Sequence, residues 1–139
     1  MVVDSSALAA VLFEEDDAEL YAQVLARAER LLMSSVNHLE IALVVEARKG
    51  DLGRRAILEL MTELGIETIA FDSAQSEVAL EAWRRYGKGR HEAGLNMGDC
   101  AAYALSQITN TPLLFKGTDF PKTDVVSAID DGVTGGSFV

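Results

Sequence analysis

Short apolar runs recur along the chain, and each stops at a polar residue before a longer amphipathic stretch begins. The runs have the length of strands, whereas the stretches between them have the three-to-four-residue spacing of helices. Strands are predicted at residues 1–3, 31–34, 66–71 and 112–115, with a last edge strand at 125–126, and helices at 7–13, 18–30, 37–50, 52–64, 73–86 and 95–105. This alternation predicts an α/β fold with a central parallel sheet flanked by helices.

Four acidic residues stand at the ends of strands or the beginnings of helices. Asp4 and Asp119 each follow a predicted strand, whereas Glu40 and Asp99 lie in the first turns of otherwise apolar helices. Because ligands of open parallel sheets bind beyond the carboxyl ends of the strands, we expect these carboxylates to converge. Carboxylates held together resist joint ionisation. Oxygen ligands of this kind suit Mg²⁺ or Mn²⁺, and two such ions can activate a water and stabilise the leaving oxygen of a phosphodiester.

Structural roles compete with this interpretation at two positions. Asp99 lies in the first turn of a helix that Asn96 can cap, so its carboxylate is either part of the cap or a ligand. Asp4 is followed by two serines, Ser5 and Ser6, which can cap the next helix in its place. Asp4 is therefore expected to be surplus to structural need.

Length and composition limit the class of protein. A chain of 139 residues is predicted to form a single domain over 1–139, with a flexible glycine-rich tail from about residue 131. No apolar run approaches the roughly 18 residues that cross a bilayer, so no membrane association is expected. Cys100 is the only cysteine, which excludes an intrachain disulfide, indicates a cytoplasmic location and favours a core role for this residue. Two histidines without suitable spacing make a zinc site improbable.

Charge argues against a polyanionic partner at first, because the formal net charge is −10. Two divalent cations would offset part of this charge, and the basic residues are unevenly distributed. Several basic side chains are candidates for contacts with the backbone of a nucleic acid, although a solvated helix end explains the first four equally well. These candidates are Arg84, Arg85, Lys88, Arg90, Lys116 and Lys122.

Four blocks of sequence together resemble the PIN domain, and within it the VapC-type toxins of bacterial type II toxin–antitoxin systems. The blocks are residues 2–8 (VVDSSAL), 34–40 (SSVNHLE), 95–104 (LNMGDCAAYA) and 113–120 (LLFKGTDF), the last continuing to 123–125 (TDV). The third and fourth blocks are the most specific, and the resemblance extends over nearly the whole chain.

This resemblance implies a PIN-like three-layer fold and a Mg²⁺- or Mn²⁺-dependent endoribonuclease that is inhibited by a cognate antitoxin. It implies that the catalytic and metal-binding acids are Asp4, Glu40, Asp99 and Asp119. Ser6 matches a small hydroxyl residue that helps to order the first acid. Asp124 matches a further aspartate that is a ligand, a supporting residue or part of the turn. The partners implied are a small VapB-type antitoxin, an RNA substrate and a second copy of the chain in a homodimer.

Metal-dependent hydrolysis of RNA is therefore the leading hypothesis, and three alternatives stay open. An acid-cluster phosphatase that forms an aspartyl intermediate would require a second acid two residues after Asp4, where Ser6 stands. A phospho-accepting receiver would require paired acids in its first loop, which Asp4 and Ser5 do not supply. A non-catalytic protein-interaction module would require only the alanine-rich helices and the acidic surface.

Overall fold

The computed structural model describes residues 1–129, which form four strands and five helices. The strands are β1 (Val2–Val3), β2 (Leu32–Ser34), β3 (Glu67–Ile69) and β4 (Leu113–Leu114). The helices are α1 (Ser5–Leu12), α2 (Ala18–Arg27), α3 (Ser35–Leu64), α4 (Ser73–Tyr86) and α5 (Met97–Thr109), and a 3₁₀ turn covers Phe120–Lys122. The predicted flexible tail from about residue 131 lies outside the described residues.

The strands form one parallel sheet in the order β3-β2-β1-β4. Successive side chains of β1 point to opposite faces: Val2 packs into an apolar cluster with α4 and α5, and Val3 into one with α1, α2 and α3. Both faces of the sheet are therefore covered by helices, as in other all-parallel sheets. The predicted three-layer α/β fold is confirmed.

Helices follow β1 and β2 without an intervening loop. Asp4 caps α1 immediately after β1, and Ser34, the last residue of β2, caps α3 by accepting a hydrogen bond from the Val36 N–H. The prediction that the serines replace Asp4 as the cap of α1 was wrong. Asp4 has the extended backbone of an N-cap, and its side chain accepts from the Ser6 N–H.

The long α3 contains a break where the sequence predicts one. Gly50 has φ 59° and ψ −142°, outside the helical region, and helical structure resumes directly after it. A positive φ is accessible to glycine at little cost. The predicted boundary between residues 37–50 and 52–64 is therefore a kink within one element. Among residues 1–129, no helix combines the length and apolarity that crossing a membrane requires.

The predicted edge strand at 125–126 was wrong. Only an isolated parallel bridge joins Ser127 to Leu113 there, with hydrogen bonds from the Leu113 N–H to Val126 and from the Ala128 N–H back to Leu113. The neighbouring strand β4 is two residues long, so it offers no longer ladder for this segment to extend. Cys100 is buried at 4% exposure in the cluster with α4 and α5, which confirms its predicted role as core filler.

Candidate active site

Three of the predicted acids line one pocket at the carboxyl edge of the sheet. Asp4 enters from the end of β1, Glu40 from the second turn of α3, and Asp99 from the first turn of α5. The pocket has a volume of about 270 Å³, and we call it the acid pocket. Its other polar lining residues are Ser5, Ser6 and Asn96. The topology places these acids together because β1 and β2 are adjacent and parallel, and α5 packs against α3.

Asp4 is held by one of its two oxygens. Its Oδ2 accepts hydrogen bonds from the Ser6 N–H at 3.0 Å and from the Ser6 hydroxyl at 2.5 Å. Its Oδ1 is buried and has no hydrogen-bond partner within the described residues. A buried carboxylate oxygen without a partner costs free energy unless a ligand satisfies it. Asp4 therefore performs a structural task with one oxygen and leaves the other available.

The Ser6 hydroxyl joins the first and last strands of the sheet. It donates to Asp4 and accepts a hydrogen bond from the Lys116 N–H at 2.9 Å, directly beyond β4. Both hydrogen-bonding roles of the hydroxyl are used, so its orientation is determined. This geometry agrees with the ordering role that the resemblance implied for Ser6.

Glu40 is positioned by contacts that the sequence did not reveal. The Ser5 hydroxyl donates to Glu40 Oε1, and the carboxylate lies against the bare Cα of Gly98. A Cβ at position 98 would be 2.9 Å from the Glu40 Cδ, well inside van der Waals contact. Asn37, one turn before Glu40 and fully buried, donates from Nδ2 to the Gly98 carbonyl at 3.0 Å. These contacts determine how closely α3 approaches α5. In the sequence, the only sign of this close approach is a glycine, Gly98, that stands beside an acid, Asp99, at the beginning of a helix.

Asp99 has the capping role that the sequence left open, and its role as a ligand stays a prediction. Its N–H donates to Asn96 Oδ1 at 2.9 Å, and its Oδ2 accepts from the Asn96 N–H at 3.0 Å, which together form a capping box. The same side chain also lines the acid pocket. Asn96 therefore supports Asp99 directly, because it restrains the carboxylate at the mouth of the pocket.

Asp119 lies at the edge of the cluster. It is exposed, it precedes the 3₁₀ turn without capping it through its side chain, and it is absent from the lining of the acid pocket. Its charge nevertheless contributes, after burial and the charge of Glu40, to raising the pKa of Asp99. The structure therefore brings together Asp4, Glu40 and Asp99 and leaves Asp119 outside the lining of their pocket.

The pocket is unfavourable for negative charge. Burial raises the pKa of Asp4 to about 7, the two hydrogen bonds from Ser6 oppose this shift, and the charges of Asp99 and Glu40 add to it. Burial also raises the pKa of Asp99, against the hydrogen bond from the Asn96 N–H, and Glu40 and Asp119 raise it further. A bound cation would favour the ionised forms of these groups.

The remaining predicted site residues lie in other environments. Asp124 accepts a hydrogen bond from the Tyr103 hydroxyl at 2.6 Å and pairs with Arg85 at 3.6 Å. These contacts favour a structural role for Asp124, although a role in metal binding stays a prediction. The Lys116 ammonium is paired with two carboxylates of the α1–α2 turn, Glu15 at 2.5 Å and Asp17 at 2.8 Å. The sequence did not indicate that this acidic turn has a partner.

The basic candidates divide into paired and unpaired groups. Arg84 pairs with Glu81 at 3.3 Å within α4. Within residues 1–129, neither Lys88 nor Arg90 forms a salt bridge, nor does Lys122. An RNA contact through any of these side chains stays a prediction.

The acid pocket offers the carboxylate oxygens that a hard divalent cation prefers, although these carboxylates already accept hydrogen bonds from the protein. Among the residues that the structure describes, no three His, Cys, Asp or Glu side chains are arranged to ligate one ion. Glu40, Asp4 and Asp99 accept hydrogen bonds from Ser5, Ser6 and Asn96 instead. Carboxylate oxygens are the ligands that Mg²⁺ and Mn²⁺ prefer, and the unpartnered Asp4 Oδ1 is one such oxygen.

Comparison with known proteins gives one consistent result. The PIN domain family model matches residues 1–126. Ribonuclease VapC30 of Mycobacterium tuberculosis is 45% identical over 127 residues, which cover 91% of this chain and 97% of that protein. Ribonuclease VapC of Mycolicibacterium smegmatis is 46% identical over 127 residues, which cover 91% and 98%.

A solved structure agrees at the level of the fold. The crystal structure of VapC20 from Mycobacterium tuberculosis, a toxin that cleaves the sarcin–ricin loop, superposes with a TM-score of 0.74 at 16% identity. The superposition covers 90% of this chain and 95% of VapC20. Family model, sequence relatives and fold agree, and this chain therefore belongs to the PIN-domain family, among its VapC ribonucleases.

Proposed function

We propose that this protein is a Mg²⁺- or Mn²⁺-dependent endoribonuclease that hydrolyses RNA phosphodiester bonds at the acid pocket. The observation that carries this proposal is the buried Oδ1 of Asp4, which has no hydrogen-bond partner in the described part of the chain and lies in a pocket that Glu40 and Asp99 also line. The names of the relatives, ribonucleases by description, support the same activity. Hydrolysis by attack of water in line with the leaving oxygen would leave 5′-phosphate and 3′-hydroxyl ends.

The acids have distinct tasks in this proposal. Asp4, Glu40 and Asp99 hold the metal, and Asp119 contributes from the edge of the pocket. When bound, the metal supplies positive charge that lowers the pKa of water and stabilises the developing charge on phosphate. Ser5 and Ser6 restrain two of the carboxylates through hydrogen bonds. Such restraint keeps the ligands near their working geometry and limits the reorganisation required on binding.

The proposal extends to regulation and location. We propose that a small VapB-type antitoxin inhibits the protein, that the protein acts as a homodimer, and that it works in the cytoplasm. The family to which the chain belongs supports these expectations, as does the lone buried cysteine for a reducing compartment.

Cleavage of a labelled structured RNA tests the activity directly. We expect cleavage with Mg²⁺ or Mn²⁺, none with chelator, and a loss of about 100-fold or more for Asp99→Asn, because one anionic ligand is removed while the amide can still join the cap. The matched control is Asp51→Asn, which removes an acid that is 81% exposed at the kink of α3. Undiminished cleavage by Asp99→Asn would refute the proposal.

Metal binding gives a second measurement that does not depend on cleavage. Mn²⁺ should raise the melting temperature of the wild type and of Asp51→Asn, but should have a smaller effect on Asp99→Asn. Equal stabilisation of all three proteins would place the ion outside the acid pocket. No stabilisation of any of them, with no cleavage, would favour a non-catalytic interaction module.

A further inference from the structure

The segment that follows β4 is bonded at two points to α2 and the turn before it. The Tyr21 hydroxyl, from α2, donates to the Phe115 carbonyl at 2.7 Å. Burial raises the pKa of Tyr21 to about 12, so this hydroxyl remains a donor near neutral pH. The next residue, Lys116, donates from its ammonium to two carboxylates of the α1–α2 turn, Glu15 and Asp17. Residues 115 and 116 are therefore fixed against a part of the molecule that is distant in sequence.

The α1–α2 turn is ordered enough to serve as a support. The Glu15 N–H donates to the Ala10 carbonyl at 3.0 Å, and the Ala18 N–H donates to the Glu15 carbonyl at 2.9 Å. An isolated surface ion pair contributes little to stability because water and salt screen it. In the Lys116 cluster, which comprises Lys116, Glu15 and Asp17, one ammonium instead bonds two carboxylates, and the three side chains are only 33%, 35% and 36% exposed. The ammonium is therefore restrained from two directions.

The backbone of Lys116 connects this cluster to the acid pocket. Its N–H donates to Ser6 Oγ at 2.9 Å, and the Ser6 hydroxyl donates in turn to Asp4 Oδ2. Because the oxygen of Ser6 accepts from a fixed amide, its O–H is directed to the carboxylate. Asp4 keeps its Oδ1 without a hydrogen-bond partner among residues 1–129. Two hydrogen bonds thus separate Lys116 from the carboxylate whose second oxygen is available in the acid pocket.

We propose that Lys116 is a positioning residue of the acid pocket, and that the acidic α1–α2 turn is the support on which it depends. The Lys116 cluster fixes the Lys116 amide, the amide fixes Ser6, and Ser6 holds Asp4 with its Oδ1 free for the metal. This inference rests on the proposed ribonuclease function. It also replaces contact with the nucleic-acid backbone as the role of Lys116, because an ammonium that already bonds two carboxylates has little charge to offer a phosphate.

Hydrogen exchange of the Lys116 amide tests the support without metal or RNA. The cluster variant, Glu15→Gln/Asp17→Asn, removes both carboxylate charges from the Lys116 cluster. The matched control variant, Glu14→Gln/Asp16→Asn, removes two charges from exposed residues of the same turn. In the full-length, metal-free protein, we expect the Lys116 amide to exchange about 10-fold faster in the cluster variant and at the wild-type rate in the control variant.

A second amide shows whether the effect is local. The Asp4 N–H donates to the Leu114 carbonyl at 2.9 Å, at the same edge of the sheet, and should keep its protection in both variants. An unchanged Lys116 amide in the cluster variant would overturn the proposal. Equal acceleration in the control variant would assign the effect to net charge, and acceleration of the Asp4 amide as well would assign it to opening of the sheet. Either result would also overturn the proposal.

Cleavage kinetics distinguish positioning from RNA contact, because the two roles predict opposite effects of the cluster variant. Rates are measured at the Mn²⁺ concentration that half-activates the wild type. For a positioning role, Lys116→Met and the cluster variant should both lower kcat about 10-fold with little change in KM, as loss of a support behind a metal ligand does. Lys116→Arg should recover most of this loss, and the control variant should match the wild type.

An RNA-binding role for Lys116 predicts a different pattern. Removal of the two carboxylates would then free the ammonium for phosphate and lower KM, whereas Lys116→Met would raise KM and leave kcat unchanged. That pattern would overturn the proposal. Thermal melts without metal establish that each variant folds. Where Lys116→Met does not fold, the cluster variant and Lys116→Arg still decide between the two roles.

The two proposals fail in different ways. A wild type that never cleaves RNA refutes the ribonuclease function, whereas amide exchange still tests the support of Lys116. Wild-type kcat in both Lys116→Met and the cluster variant, with normal cleavage by the wild type, refutes only the positioning role.

Discussion

At the scale of single residues, Asp4 both caps α1 and lines the acid pocket. Its Oδ2 caps α1 through Ser6, and its Oδ1 is buried without a hydrogen-bond partner among residues 1–129. An amide at this position would keep the capping oxygen, because asparagine caps helices as well as aspartate. The charge of Asp4 can therefore be separated experimentally from its structural role.

Asp4→Asn is expected to change how stability depends on pH. Burial raises the pKa of Asp4 to about 7, so the folded state retains a proton that the unfolded chain releases near its ordinary value of 3.8. The contribution of Asp4 to the free energy of unfolding is fully present below about pH 4 and is lost as the pH rises through 7. Each pKa unit of difference between the folded and unfolded states corresponds to ~1.4 kcal/mol. Without metal, the variant should therefore melt progressively above the wild type as the pH rises.

Thermal melts in chelator from about pH 5 to about pH 8 check this expectation. Mn²⁺ should reverse the order at the upper end, because it stabilises only the protein that can offer an ionised carboxylate at position 4. Parallel melting curves for Asp4→Asn and the wild type over the whole range would contradict the assignment.

At the scale of elements, the contact between α3 and α5 controls the site. Asn37 anchors the Gly98 carbonyl, and the missing side chain of Gly98 leaves room for the Glu40 carboxylate. Asp99 follows Gly98 directly, so this contact sets the spacing between two acids from different helices. On the opposite side, Lys116 ties the segment after β4 to the α1–α2 turn.

Gly98→Ala should separate activity from stability. The three heavy atoms nearest to the added methyl group all belong to the carboxylate of Glu40, a flexible end that can move aside, so the fold should be retained. The displaced carboxylate should lower kcat/KM by about 10- to 100-fold, as misplaced catalytic groups do. Cleavage assays and thermal melts measured side by side check this prediction.

A double variant tests whether the effect of Gly98→Ala arises from the contact with Glu40. With Glu40→Ala already present, Gly98→Ala should raise the free energy of unfolding by up to about 1 kcal/mol, because alanine favours a helix more than glycine does. Destabilisation in that background would mean that the methyl group meets something other than Glu40.

At the scale of the whole molecule, two apolar clusters share the strands β1, β2 and β4. Val2 and Leu113 belong to the cluster under α4 and α5, and their neighbours Val3 and Leu114 belong to the other. If the helices on one face of the sheet detached, they would expose the strands against which the helices on the other face pack. Unfolding of residues 1–129 is therefore expected to be cooperative.

Labelling of Cys100 measures this cooperativity. Burial, with a contribution from Asp99, raises the pKa of the thiol to about 11, and the side chain is 4% exposed. In the folded protein a thiol reagent should react about a thousandfold more slowly than in urea-unfolded protein, because reaction requires both opening and ionisation. Labelling and circular dichroism should show one transition in urea. Rapid labelling under native conditions would reveal local opening of α5.

The sequence by itself determined the order of the four strands and the helices, the break at Gly50, the family and four candidate acids, of which the structure places three in one pocket, because hydrophobic periodicity, helix caps and short motifs are local properties. The tertiary structure alone decided that Glu40 lies against Gly98, that Asp119 stays outside the lining of the acid pocket, and that Trp83 lines a pocket that shares Asn96 with it. Each of these depends on contacts between residues distant in the chain, which no local pattern specifies.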